Sequence, residues 1–168
     1  MNELLKQMDN LELEFTKMVR EHRKTIYTVC SFFSDNPAEV DDLFQEVLIN
    51  LWKGYPKFRG ESSVKTWLWR VSLNTCCAVN RNEKRKAPTV PLGIESDILS
   101  TGNDESSHQI KMLYDRINKL EVFDRAIILL WLESMSYDEI AAIVGLTTSA
   151  VTSRLFRIKE QLKSMSNN

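Results

Sequence analysis

The chain has 168 residues, 43% of them hydrophobic, with 5 Gly, 4 Pro and a formal charge of −1. That length suits one domain or two small ones, and the apolar share is ordinary for compact soluble cores. The longest strongly apolar run, 126–132, is far too short to span a bilayer, and the opening MNELLKQMDNLELEF carries acids where a secretion signal carries a basic head, so a cytosolic protein is expected.

The first helical stripe is Phe15, Met18, Val19, His22, Ile26, Val29, Cys30 and Phe33. It stops near Ser34-Asp35-Asn36-Pro37, where Asn36 suits a cap and Pro37 a first turn. A second helix turns Val40, Leu43, Phe44, Val47, Leu48 and Leu51 inward and shows Asp41, Asp42, Gln45 and Glu46 outward. Gly54-Tyr55-Pro56 breaks it, and residues 58–63 form a loop. A third helix, capped by Ser62 or Ser63, is expected to run to about Asn82. Its expected inner stripe is Val64, Trp67, Leu68, Val71, Thr75 and Ala78, with Trp69 pointing away and Leu73 and Cys77 blurring the pattern.

Residues 87–107 show no sustained periodicity and read as a linker. Helical spacing resumes at Ile110, Leu113, Ile117 and Leu120, then in the run from Ala126. Ser136-Tyr137-Asp138-Glu139 fits a capping box, followed by Ile140, Ala141, Ile143 and Val144 facing inward and Gly145 at a left-handed helix end. Thr147 or Thr148 can cap the next helix, which completes a helix-turn-helix of DNA-reading length between Ser136 and Lys163. At 100° per residue Val151, Leu155, Ile158 and Leu162 share one face. Ser149, Ser153, Phe156, Arg157 and Glu160 lie opposite, with Thr152 and Arg154 at the edges. Arginine, hydroxyls and an exposed aromatic are what major-groove readout uses, so Thr148, Ser149, Thr152, Ser153, Phe156 and Arg157 are the candidate duplex-reading residues. The expected fold is all-α, two small helical domains over 1–86 and 108–168 joined by a flexible linker.

The small total charge hides alternating blocks: residues 1–56 carry −4, 57–90 carry +6, 91–140 carry −6 and 141–168 carry +3. Because exposed charges are screened over roughly 8–10 Å, such a chain can hold DNA at two places and a basic protein elsewhere. The three cysteines, Cys30, Cys76 and Cys77, are odd in number with two adjacent, and His22 and His108 stand far from them. Packed thiols are expected, with no disulfide framework, metal or cofactor. No phosphate-cradling glycine loop or paired nucleophile and base points to an enzyme.

Three motifs stand in order: Asp41-Asp42-Leu43-Phe44-Gln45-Glu46, then Phe58-Arg59-Gly60, then Thr66-Trp67-Leu68-Trp69-Arg70-Val71-Ser72-Leu73-Asn74. This stretch resembles region 2 of the extracytoplasmic-function sigma factors of bacterial RNA polymerase, and SYDEIAAIVGLTTSAVTSRLFRIKEQL resembles their region 4. The resemblance implies a promoter-specificity subunit, without catalysis of its own, that binds core polymerase and helps to melt promoters. It implies that Asp41, Asp42, Gln45 and Glu46 dock on the β′ coiled coil, and that the loop and third helix take the −10 element through Phe58, Arg59, Ser62, Ser63, Lys65, Thr66, Trp69 and Asn74. Region 4 is implied to bind the −35 duplex while its apolar surface engages the β flap. Thr152 stands where the family often has a basic residue, which bears on base preference. An anti-sigma factor is a further partner implied by the family. A conventional helix-turn-helix regulator is the alternative. A receiver-type sensing half would need strand-alternating segments, which the first half lacks.

Overall fold

The computed structural model describes residues 1–86 and 105–166, and every regular element among them is helical. The chain divides into two compact units, the first being Met1–Lys86 and the second carrying the helices from Glu105 onward.

The first unit is a three-helix bundle of α1 (Asn2–Phe33), α2 (Pro37–Gly54) and α3 (Val64–Lys86), with a 3-10 turn at Tyr55–Lys57. Asn36 caps α2, its Oδ1 accepting from the Ala38 amide at 3.0 Å, and Pro37 fills the first helical position. Met18, Ile26, Val29, Cys30 and Phe33 of α1 meet Val40, Leu43, Val47 and Leu51 of α2 in the core, as their spacing predicts. Asn50 Nδ2 donates to Thr75 Oγ1 at 3.0 Å, which in turn donates to the Val71 carbonyl at 2.7 Å, so α2 and α3 share a satisfied polar cross-link.

Two expectations need correction here. α3 continues to Lys86 rather than ending near Asn82. Its buried face is Leu68, Trp69, Ser72, Leu73, Thr75, Cys76 and Cys77, whereas Val64 and Ala78 are exposed and Trp67 and Val71 only half-buried. The helix is therefore turned by about one residue, some 100°, from the expected stripe. Both faces carry apolar residues, and burying the expected one would have driven the polar row Arg70, Asn74 and Arg81 toward the core. All three cysteines are buried. The Cys76 thiol donates to Cys30, and this bond together with burial pushes its ionisation far above the ordinary thiol range.

The second unit contains α4 (Glu105–Ile117), α5 (Val122–Leu132), α6 (Tyr137–Val144) and α7 (Thr148–Ser166). The expected linker lies outside the described residues as far as 104, and its last three positions instead open α4, with Glu105 in the first turn where a helix favours an acid. α5 is buried from Arg125 to Leu130 and forms the unit's centre. Ile117, Leu120, Ile140, Ile143, Val151, Leu155 and Ile158 close the core around it.

Candidate nucleic-acid interface

The helix-turn-helix is set by local chemistry at three points. Ser136 Oγ accepts from the Glu139 amide and Glu139 Oε2 accepts from the Ser136 amide, both at 3.2 Å, which completes the capping box. Gly145 ends α6 at φ +76°, a conformation that costs other residues a Cβ–carbonyl clash. Thr147, rather than Thr148, caps α7: its Oγ1 accepts from the Ala150 amide at 3.1 Å. Thr148 instead donates its hydroxyl to Asp138 Oδ1 at 2.7 Å, tying the start of α7 to the first turn of α6.

These contacts fix which side of α7 meets solvent. Val151, Leu155 and Ile158 are fully buried, and Ser149, Thr152, Ser153, Phe156 and Arg157 are exposed on the other side. Phe156 is 67% exposed and stands beside Arg157 on this side. Thr152 directs its hydroxyl to the Thr148 carbonyl at 2.9 Å, so its methyl is the part left to a ligand. Arg154 faces the bundle: its Nε reaches Asp124 Oδ1 at 2.7 Å.

In the first unit, Gly60 at φ +71° turns the loop ahead of α3, and Ser63 caps that helix by accepting from the Thr66 amide at 3.1 Å. The Ser63 hydroxyl also donates to Thr66 Oγ1 at 3.0 Å. Phe58 lies 4.9 Å from Trp67 between ring centroids, and Trp67 is followed along an aromatic row by Tyr55 and then Phe15. The loop is thus held on an aromatic platform at one end of the bundle. Arg59, Ser63, Lys65 and Asn74 are exposed, while Phe58, Ser62 and Thr66 are half-buried. Trp69, expected to point outward, is 3% exposed and belongs to the core. The aromatic on the outer side is Trp67, and Arg70, Asn74 and Arg81 follow it along the same side of α3. Sequence reasoning missed Trp67 and Arg70 as surface candidates, although the polar spacing of Arg70, Asn74 and Arg81 at i, i+4 and i+11 marks that side.

Asp41, Asp42, Gln45 and Glu46 are all exposed on α2. Asp42 and Glu46 border a cleft of about 170 Å³ whose walls also include Glu39 and Glu83 and whose apolar lining includes Phe33, Leu43 and Val79. Carboxylates around an apolar recess suit the stem and head of a basic side chain.

Residues 18–86 match the family model of sigma-70 region 2, and residues 110–162 match that of sigma-70 region 4. The ECF RNA polymerase sigma-E factor of Haemophilus influenzae is 30% identical over 139 residues, covering 75% of this chain and 74% of that protein. The chain belongs to the extracytoplasmic-function sigma factors. The sigma-E factor of Escherichia coli K12 is likewise 30% identical, over 138 residues that cover 74% of this chain and 72% of its own. Two solved structures share the fold. The sigma factor RpoE of Bartonella quintana, in complex with the anti-sigma factor NepR, has a TM-score of 0.71 at 20% identity, covering 92% of this chain and 97% of that one. CnrH, in complex with the cytosolic domain of CnrY, has a TM-score of 0.66 at 21% identity, covering 93% and 89%.

As a sigma factor the chain serves promoter-specific transcription initiation by RNA polymerase and is not an enzyme. Residues 18–86 of the α1–α3 bundle are its region 2, and residues 110–162, from α4 into α7 and including the helix-turn-helix, are its region 4. Among the described residues no helix is long and apolar enough to cross a membrane.

Proposed function

We propose that this sigma factor grips a promoter with two modules, the bundle of residues 1–86 and the helical unit that opens with α4 at Glu105. The outward side of α7 reads the −35 duplex. Arg157 suits a bidentate guanine contact, Ser149 and Ser153 offer hydroxyls, and the Phe156 ring and Thr152 methyl suit a thymine methyl. Thr148 sits at the rim. The loop and the outer side of α3 hold the −10 element through Phe58, Arg59, Ser62, Ser63, Lys65, Thr66 and Asn74, with Trp67 and Arg70 taking the place first given to Trp69. Aromatic surfaces and backbone-tracking cations are what an unpaired strand needs.

The acidic face of α2 docks on core polymerase at the β′ coiled coil, where its charge complements a basic partner, and the apolar surface of the second unit engages the β flap. An anti-sigma factor that masks these surfaces is the natural regulator, and the cytoplasm is the compartment of action. The observation that carries the DNA assignment is Phe156, exposed beside Arg157 on the helix that follows the capped turn.

Purified protein added to core polymerase is expected to give promoter-dependent transcripts, and failure to bind core would sink the reading. Arg157→Ala is expected to weaken binding to a matched −35 site by roughly 1–3 kcal/mol. Equal loss on matched and mutated −35 sites would show that Arg157 reads no base.

A further inference from the structure

The region 2 match begins at residue 18, yet α1 begins at Asn2. At 32 residues the helix is about 48 Å long, and its first buried residue is Met18, so several turns stand clear of the bundle. Those turns are not polar all round. Leu4, Met8, Leu11, Phe15 and Met18 recur at spacings of four and three, and at 100° per residue they fall within about 40° of one line.

The same line continues inward through Ile26 and Val29 of the core. Outward it is uncovered: Leu4 is 68% exposed and Met8 66%, while Leu11 and Phe15 are half-buried. At its base the Phe15 ring lies edge-on to Trp52 of α2 at 4.9 Å, and Trp52 is itself 41% exposed. The apolar strip therefore runs without a break from the first turns of α1 onto the exposed surface of α2. A seam of this spacing is what a second helix needs for side-by-side packing.

The charges beside the seam select the occupant. Glu12 lies on one flank, and Glu14 and Glu3 lie on the other, at about 80–100° from its centre. Lys6, the lone basic side chain among residues 1–14, is on the back of the helix. A second copy packed on the seam would set these acids against their equals in either direction. Residues 87–104 of the chain contain acids, two prolines and no Lys or Arg, so they do not complement it. DNA and anionic lipid are disfavoured by the same charges.

We infer that the projecting part of α1 is a docking rail for an amphipathic helix of a partner protein, one with an apolar seam flanked on both sides by Lys or Arg. The partner's aliphatic side chains cover Leu4, Met8 and Leu11 and reach Trp52, and its cations pair with Glu3, Glu12 and Glu14.

The test uses the full chain and two synthetic helical peptides with the same leucine seam, one flanked by Lys and one by Glu, followed by tryptophan fluorescence and sedimentation. The Lys-flanked peptide is expected to bind about tenfold tighter, with the advantage shrinking at high salt. The exposed-site double variant Leu4→Glu, Met8→Glu is expected to lose that binding while keeping its helical content, and Glu12→Lys with Glu14→Lys to reverse the preference. Equal binding of both peptides, or binding untouched by the Leu4/Met8 change, overturns the proposal. So does concentration-dependent dimerisation abolished by that change, or its loss of binding to anionic lipid vesicles, because either would make the rail's occupant a second copy or a membrane.

Discussion

Arg154 of α7 donates from Nε to Asp124 of α5 at 2.7 Å, and its guanidinium lies 4.6 Å from the centre of the Phe123 ring. Glu121 adds a second carboxylate at 3.9 Å. Five residues further along, Lys159 sits 4.1 Å above the Trp131 ring. Two of the basic residues that make this end of the chain positive are therefore fastening α7 to α5. Lys163 is engaged with Glu160 at 3.4 Å. Among the described residues Arg157 is left as the unengaged cation of α7, so the positioning contacts of Arg154 and Lys159 stand apart from the duplex-reading role proposed for Arg157.

That separation is measurable. Arg154→Ala and Asp124→Ala are each expected to destabilise the second unit by about 1–2 kcal/mol, since the pair is only partly exposed and the surviving partner loses a charged hydrogen bond. The double variant is expected to cost less than the two singles summed, as contacting residues do. Amide exchange of α7 under increasing urea reads this directly. Arg157→Ala should leave that exchange unchanged, and strict additivity of the Arg154 and Asp124 effects would deny their coupling.

Two helix ends in the second unit have the same backbone solution with different residues. After α5, Ser134 sits at φ 61° while the Met135 amide bonds back to the Leu130 carbonyl at 3.2 Å. After α6, Gly145 sits at φ +76° while the Leu146 amide bonds back to the Ala141 carbonyl at 3.2 Å. Ser134 is exposed, and its left-handed conformation carries a steric cost that glycine avoids. Ser134→Gly is expected to raise the stability of the unit by about 0.5–1 kcal/mol. Gly145→Ala is expected to lower it by about 1 kcal/mol through backbone strain alone, because an added Cβ there meets nothing within 4 Å. Thermal melts of both variants check the opposite signs.

Where local chemistry was dense, the sequence was readable to the residue. The Asn36 cap, the Ser136–Glu139 box and the Gly145 turn each need a particular residue at a particular offset, and each is found there. The inward side of α7 was equally clear, because its two sides differ sharply in polarity. α3 was not, for a physical reason. Val64, Trp67, Val71 and Ala78 on one side compete with Trp69, Leu73, Cys76 and Cys77 on the other, so periodicity alone does not choose. The α1–α2 surface chooses, by taking the larger and more continuous row, and that selection is tertiary.

The choice leaves a mark in the core. Trp69 Nε1 and Ser72 Oγ, one turn apart on the buried side of α3, are both without a hydrogen-bond partner. Such groups have lost water and gained nothing in exchange. Ser72→Ala is accordingly expected to raise the stability of the first unit by about 1 kcal/mol, helped by alanine's better helix propensity. The urea midpoint should move up without a change in slope. A lower midpoint would mean that the hydroxyl is satisfied by water.

The rotated α3 also decides which substitutions should touch promoter opening and which should touch folding. Asn74 is exposed on the same side as Trp67 and Arg81, whereas Ser63 caps the helix and bonds Thr66. Ser63→Ala removes the cap, so it is expected to cost the first unit about 1 kcal/mol and to weaken −10 engagement through the misplaced loop. Asn74→Ala is expected to leave stability within about 0.5 kcal/mol, as surface changes do, while lowering open-complex formation on an intact promoter. A template already mismatched across the −10 region should rescue Asn74→Ala if the side chain acts in opening the duplex. Permanganate footprinting of unpaired thymines, run beside urea melts of the same variants, gives both readouts. An Asn74→Ala protein that melts promoters at the normal rate would remove this side of α3 from the −10 interface and return attention to the Phe58 loop alone.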